Sequence, residues 1–183
     1  QLAAATDIPI SGDFENGFAD EPAQAAENLM KLSETGLVGG SIEDFSGTEI
    51  YDIGLAKERI AACAAAVAQL PYPFLLTARA ENLIRGVDKL DDTIVRLQAY
   101  ADAGADVLFA PGLKTIDELK RVLEAIDKPF NMLGAMAPDI TLAQYAALGV
   151  RRISVGSALA NYATTAALAA SRAMLTDGDF SWA

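Results

Sequence analysis

Acidic side chains follow two neighbouring apolar runs of the sequence, and an arginine follows the next run. The first run ends with Asp13 and Glu15, the second with Glu43 and the third with Arg79. Asp13 and Glu15 are two positions apart, so in an extended strand they would face the same way. Three carboxylates that lie close together need a counter-charge, and a hard cation such as Mg²⁺ or Mn²⁺ provides one through oxygen ligands. A guanidinium such as that of Arg79 can bind a carboxylate at two oxygens. These residue types predict a receptor for a metal ion and a small anion that carries several oxygen atoms.

Each of these residues also has a structural interpretation. A carboxylate at the end of a strand is often only a helix cap or a solvated charge. Arg79 could pair with Glu81 or with Asp106, and Asn131 in the fifth run could satisfy backbone groups in a turn. Asp52, in the loop after the second run, belongs either to a lid or to a helix start. The residues alone leave these alternatives open.

The composition excludes several kinds of site. The chain of 183 residues has no histidine, so it holds neither a Ser-His-Asp or Cys-His catalytic pair nor a histidine-based zinc site. Its one cysteine, Cys63, allows no intrachain disulfide and sits in an Ala-rich segment typical of a helix core. The net charge of −11 argues against a nucleic-acid partner. We find neither a long apolar span nor a basic leader, and we expect a cytoplasmic protein without membrane contacts.

Six short apolar runs alternate with helical segments, which is typical of parallel β/α units. The expected strands are approximately 8–13, 37–44, 73–79, 106–110, 129–133 and 151–155, and the expected helices are 22–35, 52–69, 91–103, 115–126 and 141–148. We interpret the chain as one α/β domain over residues 1–183, a (β/α)8 TIM-type barrel of which it covers the last six units. The first two units are then expected to be missing. An open doubly wound sheet is the alternative, but no GxGxxG turn follows the first strand.

Local signals support the repeated unit and mark where its helices begin and end. Gly36, Gly104 and Gly149 each fit the left-handed residue just past a helix end. They stand seven positions before Glu43, Pro111 and Gly156, which lie at or next to the expected strand ends. Thr115 begins a capping-box pattern, and Thr141 begins a second one. In a β/α barrel the site lies at the carboxyl ends of the strands. The polar strand ends should therefore meet.

The segments that carry these residues resemble strands of the isocitrate lyase/phosphoenolpyruvate mutase superfamily. The first resembles its metal-binding strand, the second its following acidic strand, the third its arginine strand, and the others its last two strands. In chain order the segments are PISGDFENGF, GGSIED, LLTARAEN, KPFNML and GVRRISVGSAL. The resemblance extends from about Ile8 to about Ala160, and the order and spacing of the motifs make it specific.

The resemblance implies a role for each matching residue. Asp13 and Glu15 would hold Mg²⁺ (or Mn²⁺), partly through water, and Glu43 would be the third acid of the metal shell. Arg79 would bind the substrate carboxylate, and both Arg79 and Glu43 are the expected catalytic residues. The expected substrate contacts are Arg79, Asn131 and Gly12.

Two departures from the family pattern narrow the expected activity. The family's Gly-[YF]-Gly element is Gly17-Phe18-Ala19 here, so its second glycine is replaced. The loop of residues 45–52 lacks the cysteine, histidine and lysine that isocitrate and methylisocitrate lyases place there. The chain therefore resembles the short-loop, phosphonomutase-like branch, and we do not expect an isocitrate or methylisocitrate lyase.

The resemblance implies a magnesium-dependent enzyme that acts on a small 2-oxo or 2-hydroxy carboxylic acid through an enolate. We favour a C–C lyase or decarboxylase. A C–P phosphonomutase or phosphonopyruvate hydrolase of the same superfamily stays open, as does a non-catalytic barrel that binds a 2-oxo acid. A barrel of another superfamily that cradles a phosphate at Ser154-Val-Gly156-Ser157 is a further alternative.

The C-terminal segment, residues 157–183, is long, Ala-rich and apolar, and it leads to Phe180 and Trp182. A helix of this kind can pack on a partner subunit. Members of the superfamily commonly exchange their last helix. We therefore expect a homodimer or homotetramer whose contact uses this segment.

Overall fold

The computed structural model describes residues 2–87 and 89–183, which form six parallel strands, each followed by a helix. The strands are β1 (Ser11–Asp13), β2 (Gly39–Glu43), β3 (Leu75–Arg79), β4 (Val107–Phe109), β5 (Phe130–Leu133) and β6 (Arg152–Ser154). The helices are α1 (Pro22–Ser33), α2 (Ile53–Val67), α3 (Leu90–Asp102), α4 (Ile116–Ala125), α5 (Leu142–Ala147) and α6 (Ala158–Arg172). Short helical turns cover Ala3–Ala5 and Gly134–Met136, and Ala173–Asp177 continues α6.

The strands lie side by side in chain order, from β1 to β6, and together form a half-barrel. A doubly wound sheet requires a reversal of strand order, so that alternative is wrong. The two edge strands of the half-barrel approach each other across its concave face, where Nη2 of Arg152 on β6 donates to Oγ of Ser11 on β1 at 3.1 Å. The arrangement is the one expected for six consecutive units of a β/α barrel.

The core lies between the convex face of the sheet and the helices. Alternate strand residues point to this layer, as the pleat requires. Its fully buried members include Leu76, Leu108, Phe130 and Met132 from the strands and Leu29, Leu97 and Leu119 from the helices. Burial of one such side chain contributes about 1.5–3 kcal/mol. The remaining strand residues face the concave side, which frees that side for polar chemistry.

The predicted helix ends are confirmed. Gly36, Gly104 and Gly149 have φ of 87°, 102° and 86°, a left-handed conformation that costs a residue with a Cβ roughly 1–2 kcal/mol. Thr115 and Thr141 both form capping boxes, with Glu118 and Gln144 respectively. The strands are shorter than predicted, since β1 begins at Ser11 instead of residue 8.

The last helix differs from the other long helices because it buries none of its residues. Leu159 and Tyr162 are 74% and 79% exposed, and Trp182 beyond the helix is half-exposed. This apolar surface is consistent with the expected oligomer contact, which stays a prediction. In the part of the chain that the structure covers, no helix combines the length and the apolar character needed to cross a bilayer.

Candidate functional site

The register of the sheet aligns one row of residues across four strands, at the carboxyl ends of β2, β3 and β4 and within β5. Glu43 pairs with Arg79, Arg79 with Phe109, and Phe109 with Asn131. Adjacent strands lie about 4.8 Å apart, so these side chains meet on the concave side. The sequence-based expectation that the polar strand ends converge is correct for this row.

Arg79 is the centre of the charged cluster. Its Nη1 lies 3.2 Å from Oδ2 of Asp13, and its Nε lies 3.4 Å from Oε2 of Glu43. Nε also donates to Glu81, and the guanidinium carbon lies 5.2 Å from the centre of the Phe109 ring. Arg79 therefore supplies a counter-charge for three carboxylates.

The two structural interpretations of Arg79 have different outcomes. The pair with Glu81 exists, but the pair with Asp106 is wrong, because the Asp106 carboxylate accepts a hydrogen bond from the backbone N of Leu76 at 2.9 Å. Asp106 sits near the amino end of β4, whereas Arg79 sits at the carboxyl end of β3. The length of the strands separates the two charges.

A second guanidinium, which sequence reasoning missed, completes the cluster. Nη2 of Arg85 lies 3.0 Å from Glu81 and 3.8 Å from Glu43, and its guanidinium carbon lies 3.9 Å from the centre of the Phe45 ring. Glu81 is fully buried between Arg79 and Arg85. The spacing of Glu81 and Arg85, four residues apart, was the available signal for this pair.

Glu43 is the electrostatically perturbed acid of the cluster. Burial, followed by repulsion from Glu81 and Asp13, raises its pKa to about 7, although Arg79 and Arg85 oppose that change. Ser41 meanwhile donates to Oδ1 of Asp13 at 3.0 Å. The acids thus carry more negative charge than the two arginines neutralise, and this excess favours a bound cation.

Glu15 reaches the cluster by a different route from the one expected. We expected Asp13 and Glu15 to face the same way in an extended strand, but the strand ends at Asp13 and Glu15 has φ of 48°. The chain therefore turns, and the Glu15 carbonyl accepts from the backbone N of Glu43 at 2.8 Å. The turn still leaves all three acids on one cavity of about 360 Å³, lined also by Asn16, Phe45, Ser46, Gly47, Arg79 and Arg85.

A second cavity of about 320 Å³ lies on the barrel side of Asp13 and Arg79 and shares both residues with the first. The predicted substrate residues Gly12 and Asn131 line it. A Cβ at Gly12 would point away, toward the side chain of Leu32 at 3.4 Å, so Gly12 faces the cavity with its backbone.

Asn131 contributes an unsatisfied polar atom to this cavity. Its side chain is buried, and Nδ2 donates to Oγ of Ser154 at 3.0 Å. Within residues 2–87 and 89–183, its Oδ1 has no hydrogen-bond partner. A buried amide oxygen of this kind costs about 1–3 kcal/mol unless a ligand or water satisfies it. These contacts do not support the structural interpretation of Asn131 as a residue that satisfies backbone groups of a turn.

The acids of the cluster do not form a preorganised metal site. Across the residues that the structure covers, no three acidic side chains are arranged to hold an ion as they stand. Arg79 lies between Asp13 and Glu43 and pairs with both. The donor set nevertheless fits a hard cation, since its potential ligands are all carboxylate oxygens. Asp13, Glu15 and Glu43 could hold it if Arg79 gives way.

Behind the cluster, Asp44 anchors the end of β2. Its Oδ1 accepts from the backbone N of Glu81 at 2.8 Å, and its Oδ2 accepts from Arg96 at 3.0 Å and from Tyr100 at 2.5 Å. Burial and the Asp44 carboxylate raise the pKa of Tyr100, so its hydroxyl stays protonated and donates. The acid pair Glu43-Asp44 at the strand end is visible in the sequence, but the side chains that donate to Asp44 are more than 50 residues away.

The loop after β2 is closed on itself. Phe45 and Ile50 form an isolated antiparallel bridge, and the Asp52 side chain accepts from the backbone N of Gly54 at 2.8 Å. Asp52 is thus the N-cap of α2, which confirms the helix-start interpretation. A loop this short leaves Phe45 and Ser46 at the edge of the acidic cavity.

Two relatives are similar to this chain over most of its length. A Burkholderia cenocepacia J2315 protein, described only as a lyase/mutase, has 49% identity and a TM-score of 0.95 over 99% of this chain and 66% of its own. An uncharacterised protein of Mycobacterium tuberculosis strain H37Rv is 34% identical over 93% of this chain and 62% of its own length. The chain therefore spans less than two thirds of the length of these relatives.

Solved and curated relatives with named activities fall in one superfamily. A phosphonopyruvate hydrolase solved with oxalate and Mg²⁺ is 25% identical, with a TM-score of 0.84, over 98% of this chain and 65% of that one. Further relatives carry the names 2-methylisocitrate lyase, oxaloacetate decarboxylase and 2,3-dimethylmalate lyase. The family model of phosphoenolpyruvate phosphomutase matches residues 1–175. The chain therefore belongs to this family, within the isocitrate lyase/phosphoenolpyruvate mutase superfamily that its strand-end motifs resemble.

Proposed function

We propose that the protein is a magnesium-dependent enzyme that acts on a small 2-oxo or 2-hydroxy carboxylic acid through an enolate, with C–C cleavage or decarboxylation as the reaction. The observation that carries this proposal is the cluster of Asp13, Glu43 and Arg79 between two cavities that share Asp13 and Arg79 in their lining. It places oxygen ligands for a hard cation beside a guanidinium that can bind a carboxylate. Relatives named for such substrates support it.

The metal-binding residues would be Asp13, Glu15 and Glu43. A bound Mg²⁺ (or Mn²⁺) would supply positive charge where the enolate forms. With Asp13 and Glu43 holding the ion, Arg79 would retain only Glu81 of its three carboxylate partners. The guanidinium edge that faced Asp13 and Glu43 would then be available to the carboxylate of a ligand. Arg79 would thus exchange internal carboxylates for the substrate's carboxylate.

The other proposed contacts orient the substrate. Asn131 offers its unsatisfied Oδ1 to a donor on the ligand, or to water held with it, and Gly12 allows the ligand close to the backbone. In the decarboxylation of oxaloacetate, the bond between C3 and C4 breaks and its electron pair stays on the C3 side as the enolate of pyruvate. Carbon dioxide leaves, and a proton then adds to C3. Without a cation, Glu43 holds a proton close to neutral pH, which limits the repulsion within the site.

We also propose a complete barrel, an oligomer contact and a cellular location for the protein. We infer that two further β/α units close the half-barrel into a (β/α)8 barrel, with residues 1–183 within that single domain. We also propose that residues 157–183 form a homodimer or homotetramer contact, because α6 leaves Leu159 and Tyr162 exposed. We place the enzyme in the cytoplasm.

Turnover of oxaloacetate tests the proposed function. We expect pyruvate formation in the presence of MgCl₂, its loss on chelation with EDTA, and its loss in Asp13→Ala and Glu43→Ala. A parallel assay with phosphonopyruvate distinguishes C–P from C–C cleavage. Metal-dependent binding of oxaloacetate that persists unchanged in both alanine variants would overturn the site assignment.

A further inference from the structure

Arg59 on α2 is buried and lies outside the charged cluster. The residue is 1% exposed, and in the described part of the chain no carboxylate forms an ion pair with it. A buried charge without a carboxylate partner is costly unless strong hydrogen bonds replace the water that it loses. The position of Arg59 therefore requires an explanation.

The guanidinium of Arg59 donates to three backbone carbonyls about 40 residues earlier in the chain. Nη1 donates to the carbonyls of Ala19 and Asp20, both at 2.5 Å, and Nη2 donates to the carbonyl of Asn16. These acceptors lie in the loop between β1 and α1, and in the described part of the chain no backbone N–H donates to them. The charge of Arg59 is thus offset by one loop, and by the loop that follows the metal-binding strand.

This loop is conformationally strained. Glu15 and Phe18 have φ of 48° and 55°, and they are the two residues other than glycine with positive φ in the described chain. Each such residue costs about 1–3 kcal/mol and persists only where its surroundings fix it. Glu15 and Phe18 flank the segment that contains Asn16, whose carbonyl accepts from Arg59. Arg59 is therefore placed to hold the conformation that turns Glu15 into the acidic cavity.

Tyr51 extends the same contact to the loop after β2. Its ring lies 4.6 Å from the guanidinium carbon of Arg59, its hydroxyl donates to the Asp20 carboxylate, and Nδ2 of Asn16 donates to that hydroxyl at 2.9 Å. Arg59 and Tyr51 together connect the two loops that border the acidic cavity.

We propose that Arg59 is a positioning residue that holds the loop of residues 14–20, and with it Glu15, in the arrangement that binds the metal ion. The inference rests on the proposed function only where it concerns the metal. The ordering of the loop is a separate consequence that requires no ligand.

Two measurements on Arg59→Met test the proposal. Methionine keeps the buried aliphatic volume and leaves the three carbonyls without their donor. We expect hydrogen exchange at the amides of Gly17 and Glu43, which donate to Phe14 and Glu15, to be about tenfold faster or more. We expect Mn²⁺ binding, followed by electron paramagnetic resonance, to be weaker by about tenfold or more.

Leu119→Ala is the matched control, because Leu119 is fully buried in α4, away from the loop. It should lower the melting temperature without changing Mn²⁺ affinity or the exchange of the Gly17 amide. A merely structural role of Arg59 would make the two variants behave alike. If Arg59→Met does not fold, Arg59→Lys decides, since its ammonium keeps the charge but lacks the geometry to reach all three carbonyls.

The outcomes separate the two proposals. Folded Arg59 variants with Gly17 exchange and Mn²⁺ affinity within about twofold of the wild type would overturn the positioning role. A wild-type protein that binds no Mn²⁺ would contradict the proposed function. The exchange measurement would then still decide whether Arg59 orders the loop.

Discussion

The chain buries charged side chains around β1, β2 and β3, whereas α6 at the other end of the half-barrel buries none of its apolar ones. Glu81, Asp44 and Arg59 are almost fully buried, and each is held by several charge-assisted hydrogen bonds. Leu159 and Tyr162 on α6 are about three-quarters exposed. The first region makes its charged contacts within the chain. The second leaves its apolar surface uncovered in the described chain.

The difference indicates where precision is required. Fixed charges must be positioned to a fraction of an ångström to bind a metal ion and a carboxylate, and a network of buried partners provides that positioning. An apolar helix face needs only shape and area. Mutations in the two regions should therefore differ in both size and kind of effect.

Asp44→Ala should give the largest loss of stability. It leaves Arg96, Tyr100 and the backbone N of Glu81 without their shared acceptor, and breaking a buried ion pair in this way costs about 3–5 kcal/mol. Urea denaturation measures the loss. Leu159→Ala on α6 is the control, with an expected change below about 0.5 kcal/mol in the monomer. Equal losses in both variants would remove the contrast between the regions.

Arg79→Lys should weaken ligand binding by about 1.5–3 kcal/mol, since lysine keeps the charge but loses two-point contact with a carboxylate. Calorimetric titration of oxalate with MgCl₂ present measures this loss. A moderate fall in melting temperature should accompany it, because Arg79 also pairs with Asp13, Glu43 and Glu81. Unchanged oxalate affinity together with a large fall in melting temperature would make Arg79 a structural residue only.

Glu43→Gln should change how stability depends on pH. The pKa of Glu43 is raised from 4.5 to about 7, so the folded, metal-free protein holds this proton more tightly than the unfolded chain. That contribution is complete below about pH 4.5 and is lost as the pH rises through 7. Glutamine stays neutral, so relative to wild type the variant should gain roughly 1–2 kcal/mol between pH 5 and pH 8, a figure reduced for the solvent at the rim of the site.

Thermal melting across this pH range provides the measurement for Glu43→Gln. Glu124→Gln, which removes an exposed carboxylate on α4, is the control and should leave the pH dependence unchanged. A constant difference between wild type and Glu43→Gln at every pH would show that Glu43 has an ordinary pKa.

Tyr162→Ser should have the smallest effect on the stability of one subunit, within about 0.5 kcal/mol, because its side chain is exposed. It should nevertheless lower the mass measured by light scattering, since α6 is the proposed oligomer contact. A wild-type protein that is already monomeric at micromolar concentration would contradict the role of α6.

The elements of the fold follow from local rules, and for that reason the sequence was sufficient to predict them. Gly104 and Thr115 mark helix ends through their own backbone preferences and hydrogen bonds. The row of Glu43, Arg79 and Asn131 was predictable once the chain was interpreted as β/α units, because parallel strands bring their carboxyl ends together. The family resemblance added their roles.

The rest of the site depends on contacts that no local rule specifies. The loop between β1 and α1 leaves the extended conformation at Glu15, so a strand-based argument gave the wrong reason for its placement. Arg59 reaches that loop from about 40 residues away, and Arg96 reaches Asp44 across 52 positions. Such pairings follow from the packing of α2 and α3 on the sheet.

Calorimetric titration of oxalate most directly tests the central claim that Asp13, Glu43 and Arg79 form a receptor for a metal ion and a 2-oxo acid. Oxalate presents the same pair of adjacent oxygens as the carboxylate and carbonyl of a 2-oxo acid. We predict that oxalate binds in the presence of MgCl₂, and that binding is lost with EDTA and in Asp13→Ala. Equal binding with and without Mg²⁺, or undiminished binding in Asp13→Ala, would contradict it.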